Sequence, residues 1–246
     1  MKIATWNMAY WSHKSHFDEA WDFYVNQIGC DILLFQEALP HPEILNKGNT
    51  VWDHIDDTRQ WGSGVYSQKY NIKKFDLNTN FDGSVTGAEI EVNENYSLIV
   101  ISLYGLMEHI LNVSYAIPNL HRIFSDLTWL LEGASTKHRI VIGGDFNASI
   151  QIDKQQTGNS HRVFFDRLRE FQLVNCFDKF FQNYVQTHRH RRSKSPWQND
   201  YFFISKRLEP LLIDCEVISN ETVNKMSDHN PVLITLNIEN PKFIVG

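Results

Sequence analysis

The chain's apolar residues fall into two periodicities. Short apolar runs of strand length alternate with stretches in which apolar residues recur every three or four positions. Lys2 to Asn7 has the character of a short strand. Phe17, Trp21, Val25 and Ile28 then recur at helical spacing, with Ser15 in front and Gly29 behind as expected caps. Asp31-Ile32-Leu33-Leu34-Phe35-Gln36-Glu37 is an apolar run with a polar end, the pattern of a buried strand that delivers its last side chains to a site. Val65 to Ser67 and Ile72 to Phe75 are weaker strand signals, and Ala88 to Val92 and Tyr96 to Leu103 flank Asn93-Glu94-Asn95 as a hairpin. Leu120, Ile123, Phe124, Leu127, Leu130 and Leu131 predict a helix after Pro118, ended by Gly133. Arg139 to Ile142 predicts a buried strand running into Gly143-Gly144-Asp145-Phe146-Asn147. Val163, Phe164, Leu168 and Phe171 predict a third helix, and Tyr201 to Ser205 and Val232 to Ile238 predict late strands. Many strands with a few helices between them indicate a layered α/β domain; the long gaps between helices argue against a regular βα barrel.

The polar residues of interest stand at the ends of these buried strands. They are Asn7, Gln36 and Glu37, Tyr104, Asp145 and Asn147, Asn199 and Asp200, and Asp228 with His229. A single Asp or Asn after a strand is usually a turn residue. Six such coincidences in one chain are harder to explain that way. If they converge, Glu37, Asp145, Asp200 and Asp228 form an acidic site that requires a divalent cation or raised pKa values. Oxygen ligands favour Mg²⁺, Mn²⁺ or Ca²⁺ over zinc.

Length and charge bound this picture. The 246 residues are 42% apolar and 21% charged, enough for a sizeable core. No repeat or low-complexity linker divides them, so residues 1–246 are expected to form a single domain. No apolar run reaches the roughly 20 residues of a transmembrane helix. Cys30, Cys176 and Cys215 have no C-x-x-C spacing and are expected as buried free thiols; with a quickly polar N-terminus they suggest a cytoplasmic protein. The net charge of −6 opposes a wide duplex-binding face. Within it, however, residues 188–194 read His-Arg-His-Arg-Arg-Ser-Lys, and Arg189, Arg191, Arg192 and Lys194 lie just before Asp200. Surface fields are screened within about 8 Å, so a phosphate substrate responds to this tract more than to the total charge. Trp11, His13 and Lys14 belong either to the same rim or, for Trp11, to the core. Of eleven histidines only His229 stands in a motif; His188 and His190 go with the basic tract.

In order along the chain, Ala4-Thr5-Trp6-Asn7, Phe35-Gln36-Glu37, Ile101-Ser102-Leu103-Tyr104, Gly144-Asp145-Phe146-Asn147, Asn199-Asp200-Tyr201-Phe202-Phe203 and Ser227-Asp228-His229-Asn230-Pro231-Val232 resemble the motifs of the endonuclease/exonuclease/phosphatase superfamily, the DNase-I-like fold. The resemblance implies a four-layer α/β/β/α sandwich with two central mixed β-sheets and metal-dependent hydrolysis of a phosphate ester. It implies Mg²⁺, with Mn²⁺ as a substitute, held by Glu37 with Asn7 and Asp228. Asp145 would orient or deprotonate the attacking water, and Asn147 and Tyr104 would donate to phosphoryl oxygens. His229, paired with Asp200, would clamp the phosphate as an imidazolium. In a regular strand the adjacent Asp228 and His229 would point to opposite faces, so this stretch is expected to be irregular.

The superfamily's branches differ from this chain locally. Abasic-site repair enzymes follow the tyrosine with Pro-Asn, where this chain has Gly105-Leu106. Inositol phosphatases have Gly-Asp-Leu-Asn-Tyr, where this chain has Gly144-Asp145-Phe146-Asn147-Ala148, and sphingomyelinase-like enzymes carry a Thr-His-Leu segment missing near Tyr104. The expected function is a nuclease of low sequence specificity, with Arg189, Arg191, Arg192 and Lys194 on the nucleic acid. A phosphatase or phosphodiesterase acting on a small-molecule or lipid phosphate ester is the alternative, and a non-catalytic binding module the third.

Overall fold

The structure is a computed structural model and describes residues 1–94, 96–110, 113–133, 138–154 and 158–238. Asn95, in the expected hairpin turn, lies outside the described residues. The strands in chain order are β1 (Lys2–Asn7), β2 (Ile32–Ala38), β3 (Thr50–His54), β4 (Gly62–Ser67), β5 (Asn71–Lys74), β6 (Val85–Asn93) and β7 (Tyr96–Tyr104). They continue as β8 (Glu108–Ile110), β9 (Val113–Tyr115), β10 (Ile140–Asp145), β11 (Leu173–Asn175), β12 (Asp200–Ser205), β13 (Leu212–Val217) and β14 (Val232–Leu236). One six-stranded sheet has the order β13-β14-β1-β2-β4-β3, the other β11-β12-β10-β7-β6-β5. β1 and β2 are parallel, as are β7 and β10, whereas β14 and β12 run antiparallel beside them, so both sheets are mixed.

Strand alternation explains the layers. Ile3, Ile32, Leu34 and Val65 join the core shared with the second sheet. Ala4, Trp6, Leu33 and Phe35 point the other way, onto Ala20, Trp21 and Tyr24 and onto Val223 and Met226 of the helix Glu221–Met226. The far face of the second sheet is covered by the helices Ile117–Asp126 and Ser160–Glu170, where Phe124 and Phe164 meet edge to face with centroids 5.3 Å apart. The result is the expected four-layer α/β/β/α sandwich. Near the site the two sheets are also joined by buried polar bonds. Gln36, braced within its own sheet by Thr5 Oγ1 at 3.0 Å, donates across to Ser102 Oγ at 2.9 Å, and Ser102 donates back to the Phe35 carbonyl.

The helices differ in detail from the sequence pattern. The segment expected from Phe17 to Ile28 is α-helical only over Phe17–Asp22 and continues as a wider π-turn over Phe23–Gln27. His16, not Ser15, precedes it and makes no capping bond, while Gly29 closes it at φ +70°. The helix expected after Pro118 breaks at Leu127 into Ile117–Asp126 and Thr128–Leu131. Cys30, Cys176 and Cys215 are free and buried. No helix among the described residues is long and apolar enough to cross a membrane.

Candidate active site

The strand orders place the polar strand ends together. Asn7 and Asp145 end the central strands β1 and β10. On one side of them, β2 and β7 carry Glu37 and Tyr104. On the other side stand Asp200, the first residue of β12, and the stretch 227–230 leading into β14. Asn7 joins the sheets, its Nδ2 donating to Asp145 Oδ2 at 2.9 Å and to Glu37 Oε1 at 3.1 Å.

Local backbone departures aim these side chains. Gln36 points into the seam between the sheets, so in an unbroken strand Glu37 would turn away from it. A register irregularity between Phe35 and Ala38 and a left-handed Glu37, at φ +45°, send its carboxylate into the cleft instead. Asn147, at φ +46°, curls back in the same way: its backbone N–H donates to Asp145 Oδ1 at 2.8 Å and its Nδ2 to Oδ2 at 2.9 Å. The Asn147 amide also donates to the Gly105 carbonyl. Gly144 precedes Asp145 at φ +154°, and a Cβ there would lie 1.8 Å from the Leu103 carbonyl oxygen.

Asp228 and His229 both enter the site because 227–230 is not regular strand. Ser227 anchors it, donating to the Asn7 carbonyl and accepting from His229 N–H. His229 Nδ1 sits 2.9 Å from Asp200 Oδ2, while Nε2 faces Asp145 Oδ2 at 3.9 Å. His188 stacks on His229 with centroids 4.4 Å apart and places Nε2 3.9 Å from Asp228 Oδ2.

The electrostatics follow from burial and these neighbours. Burial works against charge on His229, but Asp200 and then Asp145 overcome it and hold its pKa up at about 10. Burial pushes Asp145 up to about 8; His229 opposes this, while Asp200 and Glu37 add to it. Burial likewise raises the Tyr104 phenol well above its ordinary value, helped by Glu37 and Asp145. For Asp228, burial is outweighed by His188, His229 and His13, which hold the carboxyl below its usual range. His188 is pushed down, by burial first.

Glu37, Tyr104, Asn147, His188, Asp228 and His229 line an open cleft of about 360 Å³ together with Trp11, Arg59, Trp61, Leu106 and Met107, and Asp145 and Asp200 lie buried behind them. A larger cavity, about 430 Å³, lies elsewhere, among Phe165, Phe177, Tyr184 and Tyr201; none of the His and carboxylate groups described above lines it. Among the described residues, Asp145, Asp200 and His229 form one group whose possible metal-ligand atoms lie within 4.8 Å of one another. His188, Asp228 and His229 form a second. Glu37 belongs to neither; its Oε2 accepts from the Trp11 indole, and it has no ion-pair partner among the described residues.

The chain's similarities to known proteins agree with this geometry. The model of the Endonuclease/Exonuclease/phosphatase family matches residues 4–229. The chain belongs to that family. Its members are phosphoesterases, nucleases or phosphatases. Similar solved structures include an AP endonuclease from Archaeoglobus fulgidus, with 19% identity, TM-score 0.72, and 97% of this chain and 100% of that one covered. A 3′-5′ exonuclease from Neisseria meningitidis has 19% identity and TM-score 0.71, over 96% of this chain and 100% of that one. The endonuclease domain of TRAS1, a telomere-specific non-LTR retrotransposon, has 15% identity and TM-score 0.69, over 97% and 99%. At these identities the likeness establishes the fold. No curated protein sequence matches the chain.

The basic tract divides. Arg189 is half-buried and donates to the Ser227 carbonyl at 2.5 Å, to the His229 carbonyl at 3.4 Å and to Asn230 Oδ1. Arg191, Arg192 and Lys194 are exposed, on a loop rooted beside the cleft by His188 N–H bonding to the Trp197 carbonyl. No motif marks His188, Arg59 or Trp61 in the sequence. Trp11 proves to be a rim residue and 61% exposed, not core.

Proposed function

We propose that the chain is a divalent-metal-dependent phosphodiester hydrolase that cleaves nucleic acid with little sequence preference, residues 1–246 acting as one catalytic domain. The observation that carries this reading is the pair Asp145 and His229. They face each other across 3.9 Å, His229 lining the cleft and Asp145 buried just beneath it, one a fixed hydrogen-bond acceptor and the other an imidazolium held by Asp200. That gap is too long for a direct hydrogen bond, and a water or phosphoryl oxygen that sits beside the pair can reach both atoms at about 2.8 Å.

The donor set fits a hard cation. Glu37 is a nearly buried carboxylate, 8% exposed, with no ion-pair partner among the described residues, and a cation relieves such a charge. Glu37 and Asp228, which line the same cleft, offer the carboxylate oxygens that Mg²⁺ or Mn²⁺ takes alongside waters, whereas Asn7 turns its Nδ2 to Glu37 and would add an oxygen only by reversing its amide and giving up the Ala9 N–H. When bound, the cation neutralises charge on the scissile phosphate and the leaving oxygen.

The rest of the task falls to the chain's own groups. Asn7 and Asn147 donate three hydrogen bonds to Asp145 and fix it to orient the attacking water, with positioning worth more than basicity. His229, kept cationic by Asp200, clamps the phosphoryl oxygens where negative charge builds. Tyr104, its phenol kept protonated, donates a further hydrogen bond. Asn147 reaches phosphate only by exchanging its bonds to Gly105 and Asp145. Exposed Arg191, Arg192 and Lys194 contact the backbone without reading sequence.

Cleavage assays on single- and double-stranded DNA and RNA with Mg²⁺ or Mn²⁺ test this reading, with Glu37→Ala as control. EDTA-sensitive cleavage that Glu37→Ala abolishes is the expected result. Turnover of phosphomonoesters or phospholipids with nucleic acid left intact would move the assignment to a small phosphate ester, the class favoured by the net charge of −6. Binding without hydrolysis of any ester would leave a non-catalytic module.

A further inference from the structure

The two sides of the cleft differ in chemistry, and the strand order fixes which is which. On the β12/β14 side stand His188, Asp228 and His229, with Arg191, Arg192 and Lys194 on the loop that leaves His188. On the β2/β7 side, above Glu37, the rim is mainly apolar and carries the cation Arg59, which is paired with Asp56. Trp11 is bonded to Glu37, Trp61 meets Tyr104 edge to face with centroids 5.8 Å apart, and Leu106 and Met107 follow Tyr104. Trp11 is the most exposed large apolar side chain among the described residues, at 61%, and Met107 is 44% exposed. Exposed apolar surface of this kind at a cleft marks a binding face.

We propose that this apolar side stacks unpaired bases, so that the cleft takes single-stranded nucleic acid in preference to duplex. The proposal rests on the nuclease reading and names its substrate class. A single strand projects phosphates and bases in different directions, and both have a complementary side here. A duplex turns its phosphates outward and hides its base faces, which leaves the indole of Trp11 with nothing to cover it. The Trp11 N–H is taken by Glu37, so a base would meet the ring by its face, a contact that a phenyl ring also makes.

The test is equilibrium binding of the full chain in EDTA, so that no cleavage intervenes. The probes are a labelled oligothymidylate of about 12 nucleotides and a blunt duplex of the same length. The expected result is tighter binding of the single strand, with quenching of tryptophan emission. Trp11→Ala should weaken the single strand at least about fivefold and leave duplex binding unchanged, whereas Trp11→Phe, which keeps a ring but loses the N–H, should stay within about twofold of the parent. Met107→Ser should weaken only the single strand. Equal affinity for the two probes would overturn the proposal. So would unchanged single-strand binding by Trp11→Ala, or equal losses in Trp11→Ala and Trp11→Phe, which would trace the effect to Glu37. Metal-dependent cleavage without strand preference would sink this proposal alone; selective binding without cleavage would sink the nuclease reading alone.

Discussion

Replacing Asp145 with Asn should abolish activity and yet shift stability in the variant's favour as pH rises. The Asp145 carboxyl is fully buried, and its pKa stands at about 8 against an ordinary 3.8. The folded protein therefore holds a proton between these values that the unfolded chain has lost. The stability this proton contributes is fully present below the unfolded value and is lost as pH rises through the folded one. Between pH 5 and pH 8 the wild type loses nearly three pH units of this advantage, at about 1.4 kcal/mol each, or about 3–4 kcal/mol. The amide introduced by Asp145→Asn cannot titrate, so this loss is absent from the variant. Turning one oxygen into an amide sets it against the donors Asn7 and Asn147, an offset of about 1–3 kcal/mol that does not depend on pH. Denaturant unfolding of both proteins at pH 5 and pH 8 in EDTA measures the difference directly. The gap between variant and wild type should shift by about 3 kcal/mol in the variant's favour between the two pH values. A shift below about 1 kcal/mol would refute the claim that burial dominates the Asp145 environment.

Other substitutions probe the site's remaining parts. His229→Gln should lower kcat by about 10²–10³-fold with little change in KM, because its contact belongs to developing charge; equal losses in both would remove the clamp role. Arg189→Ala should cost about 1–3 kcal/mol of stability in a thermal melt, since its guanidinium ties down the Ser227 to Asn230 stretch. The triple substitution of Arg191, Arg192 and Lys194 by Ala should leave the melt unchanged but weaken nucleic-acid binding and flatten its salt dependence, read from log affinity against log salt. Gly144→Ala should give little folded protein by circular dichroism, because a Cβ at φ +154° would meet the Leu103 carbonyl at 1.8 Å.

Much of the fold was legible in local pattern because burial imposes a period on each strand. β1, β2, β7, β10, β12 and β14, the strands that carry or flank the site, were each expected within a few residues. β13 was not, since its exposed Ile213, Asp214 and Glu216 give an edge strand no clean alternation. β3 and the three-residue β11 were missed as well. The break at Leu127 and the π-turn after Asp22 left no mark either, because the apolar stripe runs through both.

The site shows the same division. Its residue types and their order, from Asn7 to His229, could be read directly, because the resemblance lies in contiguous motifs at strand ends. The irregularity at Asp228 and His229 was also foreseeable, since two neighbours can share one site only off a regular strand. The role of His188 was not: it lies eleven residues before Asn199, inside a tract dominated by arginines, and only the return of that loop against 227–230 stacks it on His229. The two fates of the basic tract, Arg189 tied inward and its neighbours left in solvent, depend on the same loop. So do the charges. Local sequence determined which groups could titrate and which strands would deliver them. How far Asp145 and His229 shift, and which side of the cleft Trp11 occupies, was decided by the stacking of two sheets. Desolvation and Coulomb coupling depend on distance in space, and strands far apart in the chain set that distance.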